Sequence, residues 1–176
     1  MSDERLPDHV LTAEHDDEGL TIVRTIDAPR EAVFRAWTEP EAFARWFGEH
    51  GSSVPVDAAT MDVRPGGAWR AVMLLGGGSE MVFSGEFREL EEPAHLVLTM
   101  TDREPDDAID HAVCTVDLDD LGDGRTRMTF TQRGGGLPPG RYEAALRGWM
   151  LFFDRQADLL KGRHDTDLKA RHDGST

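Results

Sequence analysis

Leu20, Ile22, Arg24 and Ile26 alternate along one short run, so they share a strand face, and three of the four belong in a core. Arg24 then carries its charge inward. There it needs an acid, or the carboxylate or phenolate of a ligand, because an unpaired buried charge is very costly. An internal ion pair or a strand bulge accounts for it without a ligand, and that account is favoured over a ligand contact. Tyr142, Gln132, Thr126 and His50 are the other polar residues able to converge on a pocket. Arg24, Tyr142 and His50 together would suit the positioning of a substrate for cyclase-like or hydrolytic chemistry, provided all three point into one cavity. No set of base, acid and positioned electrophile stands out, so no catalytic residue is assigned.

The remaining reactive types read as structure. Cys114 lies mid-strand on an apolar face with no cation in its pattern, which suits a packing thiol and not a thiolate. Ser79 and Ser84 lack the Gly-x-Ser-x-Gly elbow. The clusters Gly76 to Gly78 and Gly134 to Gly136 read as turns, since the first leads into a strand and the second lacks the Lys and Ser or Thr of a phosphate loop. Asp102, Glu104, Asp106, Asp107 and Asp110 lack the order of calcium ligands, and His9, His15, His164 and His172 lie in polar ends, so neither a metal nor a cofactor is expected.

The greasy set is more informative. Trp37, Trp46, Trp69 and Trp149 account for all four tryptophans, and Met73, Met81, Met100 and Met128 for four of the seven methionines. With Phe83, Phe130, Phe153, Leu146 and Tyr142 they could wall a cavity for a flat or flexible apolar molecule, Arg24 providing a polar contact. Packed against one another, the same residues are only a core, and periodicity does not separate the two cases.

The elements that would position them are legible. Tyr142, Ala145, Leu146, Trp149, Phe152, Phe153, Ala157 and Leu160 follow the three-and-four spacing of a helix with a wide apolar face, introduced by Pro138 and Pro139. Gly19 to Ile26 reads as a strand, followed by a short helix capped at Asp27 and carrying Val33, Phe34 and Trp37, then a second over Glu41 to Phe47. From Ser53 to Arg133 the pattern is strands and turns: Val54 to Val63, Ala68 to Leu75, Glu80 to Leu90, His95 to Thr101, Ala112 to Leu118 and Arg125 to Arg133. About seven strands result, apolar on one face and polar on the other, as for an antiparallel sheet covered on one side.

Composition narrows the function. Of 176 residues, 39% are hydrophobic and 30% charged, which suits one domain with a real core. A formal charge of −15 argues against nucleic acid and anionic membrane as partners, because both select for clustered Lys and Arg. One cysteine excludes an intrachain disulfide, the acidic start is unlike a secretory signal, and no apolar run is long enough to span a bilayer. A cytoplasmic location is expected. Residues 1–18 and 162–176 read as disordered polar tails around a domain at 19–161.

The runs RTIDAPREAVFRAWTEPEAFARWF (Arg24 to Phe47), DVRPGG (Asp62 to Gly67) and GEFRELEEP (Gly85 to Pro93), with Gly148 and Trp149 in the last helix, resemble the activator of heat-shock protein 90 ATPase homologue-like domains of the START-like, or SRPBCC, superfamily. The resemblance spans Gly19 to Leu160 and implies an α+β helix-grip fold, in which a curved antiparallel sheet wraps a long C-terminal helix and two short helices close one end. It implies a pocket between helix and sheet for a small hydrophobic molecule, and it carries over no catalytic constellation. Some members are co-chaperone domains. The chain is too short for the extra N-terminal domain of the eukaryotic chaperone activators, which weighs against that role. A protein-interaction module or a homodimer using the acidic surface is the further alternative.

Overall fold

The structure, a computed structural model, describes residues 6–48, 52–102, 111–138 and 140–173, with side chains described as far as 162. Eight strands form one antiparallel sheet: β1 (Val10–His15), β2 (Gly19–Ile26), β3 (Ala59–Met61), β4 (Ala68–Leu74), β5 (Glu80–Glu91), β6 (His95–Met100), β7 (Ala112–Asp120) and β8 (Thr126–Gly134). Their spatial order is β1-β2-β8-β7-β6-β5-β4-β3. The meander from β3 to β8 is thus continued by β2, which pairs with β8 from Gly19↔Arg133 to Ile26↔Thr126. Helices α1 (Arg30–Thr38) and α2 (Pro40–Trp46) close one end, and α3 (Arg141–Asp173) lies along the concave face.

The sheet bends within β5. Its first half pairs with β4 and its second half with β6, where the register shifts between Phe87 and Glu89. At that bend the Trp69 indole donates to the Thr99 carbonyl at 2.9 Å, and a Cβ on Gly85 would lie 1.8 Å from the same oxygen. Only glycine fits between the two strands there.

The alternation expected of the inner face holds. Leu20, Ile22, Ile26, Trp69, Ala71, Met73, Phe87, Leu96, Leu98, Cys114, Val116, Leu118, Met128 and Phe130 are all buried. The helix stripe that meets them is Tyr142, Trp149, Phe153, Gln156 and Leu160. Between the layers sits an aromatic cluster in which Trp37 lies 4.8 Å from Trp46 and 5.9 Å from both Phe130 and Phe153, ring centre to ring centre.

Three expectations need correction. The tail placed at residues 1–18 contains β1, an eighth strand that pairs with β2 from Val10↔Arg24 to His15↔Leu20. A tight turn makes this possible, because the Asp16 carboxylate accepts from the backbone N–H groups of Glu18 and Gly19 at 2.7 and 2.9 Å. The final helix does not stop near Leu160 but continues to Asp173, into the stretch expected to be a tail. No proline interrupts the stretch after Leu160, so nothing there removes a backbone N–H from the helix ladder. Finally, α1 is capped at Pro29 and not Asp27, with no side-chain capping bond; the Thr126 hydroxyl instead donates to the Ala28 carbonyl at 2.7 Å and ties the helix entry to β8.

On the convex face His95 joins three strands. Its Nδ1 lies 2.6 Å from Asp117 Oδ1 and its Nε2 2.7 Å from Glu89 Oε2, an arrangement that the protonated ring, with an N–H on both nitrogens, satisfies in full. The hydrogen bond to Asp117, then that to Glu89, raises its pKa above the ordinary 6.5. A raised folded-state pKa gives stability that is complete below the unfolded value and lost as pH rises through the folded one. His95→Gln should therefore lower the thermal midpoint at about pH 6 and do so much less at about pH 9. A deficit that does not depend on pH, read from melts at the two values, would contradict this.

Candidate ligand-binding cleft

The chain positions two clefts, one at each end of the buried stretch of α3. The first, of about 470 Å³, opens between the first turns of α3, the loop after β8 and the ends of β5, β6 and β7. Phe47, Phe83, Met100, Leu137, Trp149 and Phe152 supply its apolar walls, and Ala144, Ala145 and Gly148 keep the helix side low. The small residues leave space that bulkier ones would fill. Ring contacts stiffen the wall: Phe47 lies 5.1 Å from both Phe83 and Phe152, and Trp149 lies 5.5 Å from Phe152.

Polar groups in this cleft are few. Gln132, from β8, is 7% exposed, and its Oε1 accepts from the Trp149 indole at 2.6 Å. Thr101, Asp102 and Arg141 complete the lining, with Asp102 and Arg141 exposed. Such a site can hold and orient an apolar molecule, and among the described residues its lining brings together no paired acid and base.

The second cleft, of about 630 Å³, is polar and is lined by Arg24, Asp27, Arg125, Asp154, Asp158 and Lys161 among others. Arg24 is 2% exposed and faces inward, and its Nη1 donates to Asp154 Oδ1 on α3 at 3.1 Å. The internal ion pair accounts for its charge. His9 Nε2 stands 3.7 Å from the same carboxylate oxygen.

The candidate residues divide accordingly. Phe83, Met100 and Trp149 line the apolar cleft, and Arg24 lines the polar one. Trp37, Trp46, Trp69, Met73, Met128, Phe130 and Phe153 are sealed in the core, where they fill one another's space. Met81 and Leu146 are half-buried against that core and line neither cleft. Tyr142 is buried, and its hydroxyl donates to the Gly134 carbonyl at 2.5 Å, pinning the start of α3 to the end of β8. Thr126 holds the Ala28 carbonyl and faces no cleft.

The positioning set fails on this geometry. Arg24 meets α3 at Asp154, twelve residues along the helix from Tyr142, which is a rise of about 18 Å. His50 and the acidic residues Glu104, Asp106, Asp107 and Asp110 lie outside the described residues. Cys114 is fully buried, and desolvation pushes its thiol up to about 12, so it supplies no thiolate. Among the described residues no three His, Cys, Asp or Glu side chains are grouped to hold a metal ion, and no helix is long and apolar enough to cross a membrane.

Sequence reading missed Ala112, Leu137, Ala144 and the polar rim. Phe47 and Phe152 already carried a signal, since each fell on the apolar stripe of its helix; the loop residues carried none, because their place depends on how the turn after β8 folds back over α3.

Residues 27–161 match the family model of Activator of Hsp90 ATPase homolog 1-like protein. No curated protein matches the chain. Among solved structures, one from Chromobacterium violaceum is similar at 26% identity and TM-score 0.70, covering 81% of this chain and 96% of its own. Another, from Nitrosomonas europaea, is similar at 24% identity and TM-score 0.71, covering 86% and 99%. The AHSA1 protein from Silicibacter pomeroyi is similar at 22% identity and TM-score 0.71, covering 83% and 99%. These likenesses establish a shared fold.

Proposed function

Because the chain belongs to the family of Activator of Hsp90 ATPase homolog 1-like proteins, whose members need share a fold and not a chemistry, we propose that it binds a small hydrophobic, partly aromatic molecule in the cleft between α3 and the sheet. The observation that supports this reading is the cleft itself. An apolar space of about 470 Å³ with aromatic walls falls within the roughly 300–1,000 Å³ of small-molecule sites, whereas a fully packed interior would leave no such volume. The protein is read as a carrier or sensor, not an enzyme, and it is placed in the cytoplasm.

Ala145 gives the test. It lines the cleft from α3, and a phenyl ring there would occupy the ligand's place. N-phenyl-1-naphthylamine, a neutral apolar fluorophore, should bind the wild-type protein saturably at one site. Ala145→Phe should weaken that binding at least about tenfold, a loss of about 1.4 kcal/mol, while the thermal midpoint moves little. Equal binding by both proteins would place the probe elsewhere and remove the cleft from consideration.

A further inference from the structure

The Trp149 indole fixes which way the Gln132 amide points. An indole N–H only donates, so the atom 2.6 Å from it must be the amide oxygen, and the amide nitrogen faces the other way. That nitrogen finds no hydrogen-bond acceptor among the described residues. It is also not enclosed, unlike the amide of Gln156 on the sheet-facing side of α3, whose two polar atoms are both sealed and unpartnered. Gln132 is only 7% exposed and lines the apolar cleft. An amide NH₂ whose own oxygen is held by the indole, on a largely buried side chain that lines the cleft, is a fixed donor available to whatever occupies that space.

Building on the proposed function, we propose that the cleft selects apolar, largely aromatic molecules bearing one uncharged oxygen acceptor, such as a ketone, quinone or ester carbonyl, which accepts from Gln132 Nε2. A hydrocarbon without such an oxygen would cover the NH₂ and leave it unsatisfied, a penalty paid in affinity. A carboxylate at the same depth would have no cation beside it among the described residues, since the arginine that lines the cleft there, Arg141, is exposed at the rim. The acceptor is therefore neutral. A ligand that enters must match the hydrogen bond such a donor would otherwise make to solvent.

Fluorene and 9-fluorenone test this, because they share one tricyclic frame and differ by a CH₂ against a C=O. Equilibrium dialysis should give the wild-type protein a roughly tenfold preference for the ketone, the size expected of one well-placed hydrogen bond. Gln132→Met keeps an unbranched chain and a weak acceptor for the indole but removes the donor, and the preference should fall to near parity. As a check independent of any variant, the carbonyl stretch of fluorenone bound to the wild-type protein should sit below its position in hydrocarbon solvent. A preference unchanged by the substitution, or a carbonyl band at the hydrocarbon-solvent position, overturns the donor assignment while leaving the cleft a binding site. Retention of neither compound by the wild-type protein removes the binding reading itself, and this inference with it.

Discussion

Trp37→Ala should cost about 4 kcal/mol of stability, while Trp37→Phe should cost less than about 1 kcal/mol. Trp37 is wholly buried at the point where α1, α2, β8 and α3 meet, with Trp46, Phe130, Phe153 and Trp149 around it. Alanine would leave a void among rings anchored to three elements, so the gap would close only in part. For a chain of this size that corresponds to a fall in thermal midpoint of about 8–16 °C. Phenylalanine is treated differently because the Trp37 indole nitrogen has no hydrogen-bond partner among the described residues. Removing an unsatisfied buried N–H offsets much of the lost contact area. Trp46 and Trp69 provide the control, since their indoles donate to the Ala36 and Thr99 carbonyls at 2.8 and 2.9 Å. Their phenylalanine variants should each lose roughly 1–2 kcal/mol more than Trp37→Phe, in urea titrations followed by circular dichroism. Equal losses at all three positions would mean that the Trp37 N–H is satisfied after all.

The sheet and helices were legible because burial is one-sided. Along β7, Ala112, Cys114, Val116 and Leu118 are buried and Val113, Thr115 and Asp117 less so, and that period of two is written in the sequence. Strand β1 was hidden by the same logic. It is an edge strand in which Val10 is buried and the rest is partly or fully exposed, and the acids around it, Asp8, Asp16, Asp17 and Glu18, gave the stretch the composition of a tail. The turn chemistry of Asp16 was the available signal. Beyond Leu160 the helix has no apolar stripe, and periodicity ends where the core does even though the backbone hydrogen bonding continues.

The site was legible only as a composition. Trp37, Trp69 and Phe153 have the same residue types as Trp149 and Phe83, and the first group fills the interior while the second borders a space. What separates them is the angle at which the loop after β8 returns to α3, a matter of tertiary packing. Glycines at positive φ, Gly134, Gly135 and Gly136, set that path, and their triple repeat says that a turn occurs without saying where it leads. Gln132 shows the same limit. Its inward position followed from alternation, but its role as a fixed donor depends on a bond to an indole seventeen residues away.

Asp154→Ala should destabilise the protein more than Arg24→Met, although both remove the same ion pair. Arg24 is 2% exposed and Asp154 is 53% exposed, so the two partners do not risk equal desolvation. Taking away the carboxylate leaves a guanidinium inside the sheet with its Nε already unpartnered. A fully buried pair broken in this way costs about 3–5 kcal/mol, and the open cleft beside Arg24, by admitting solvent, reduces that to roughly 2 kcal/mol. Taking away the arginine leaves an aspartate that water already solvates, and methionine continues the apolar face of Leu20, Ile22 and Ile26, so the change should stay within about 1 kcal/mol of neutral. The double variant should match Arg24→Met alone, because no buried charge then remains to be compensated. Urea midpoints for the three proteins decide the matter. If Arg24→Met proved the more damaging, the arginine would be contributing packing or a second partner, and the internal ion pair would no longer suffice to explain a charge on the inward face of β2.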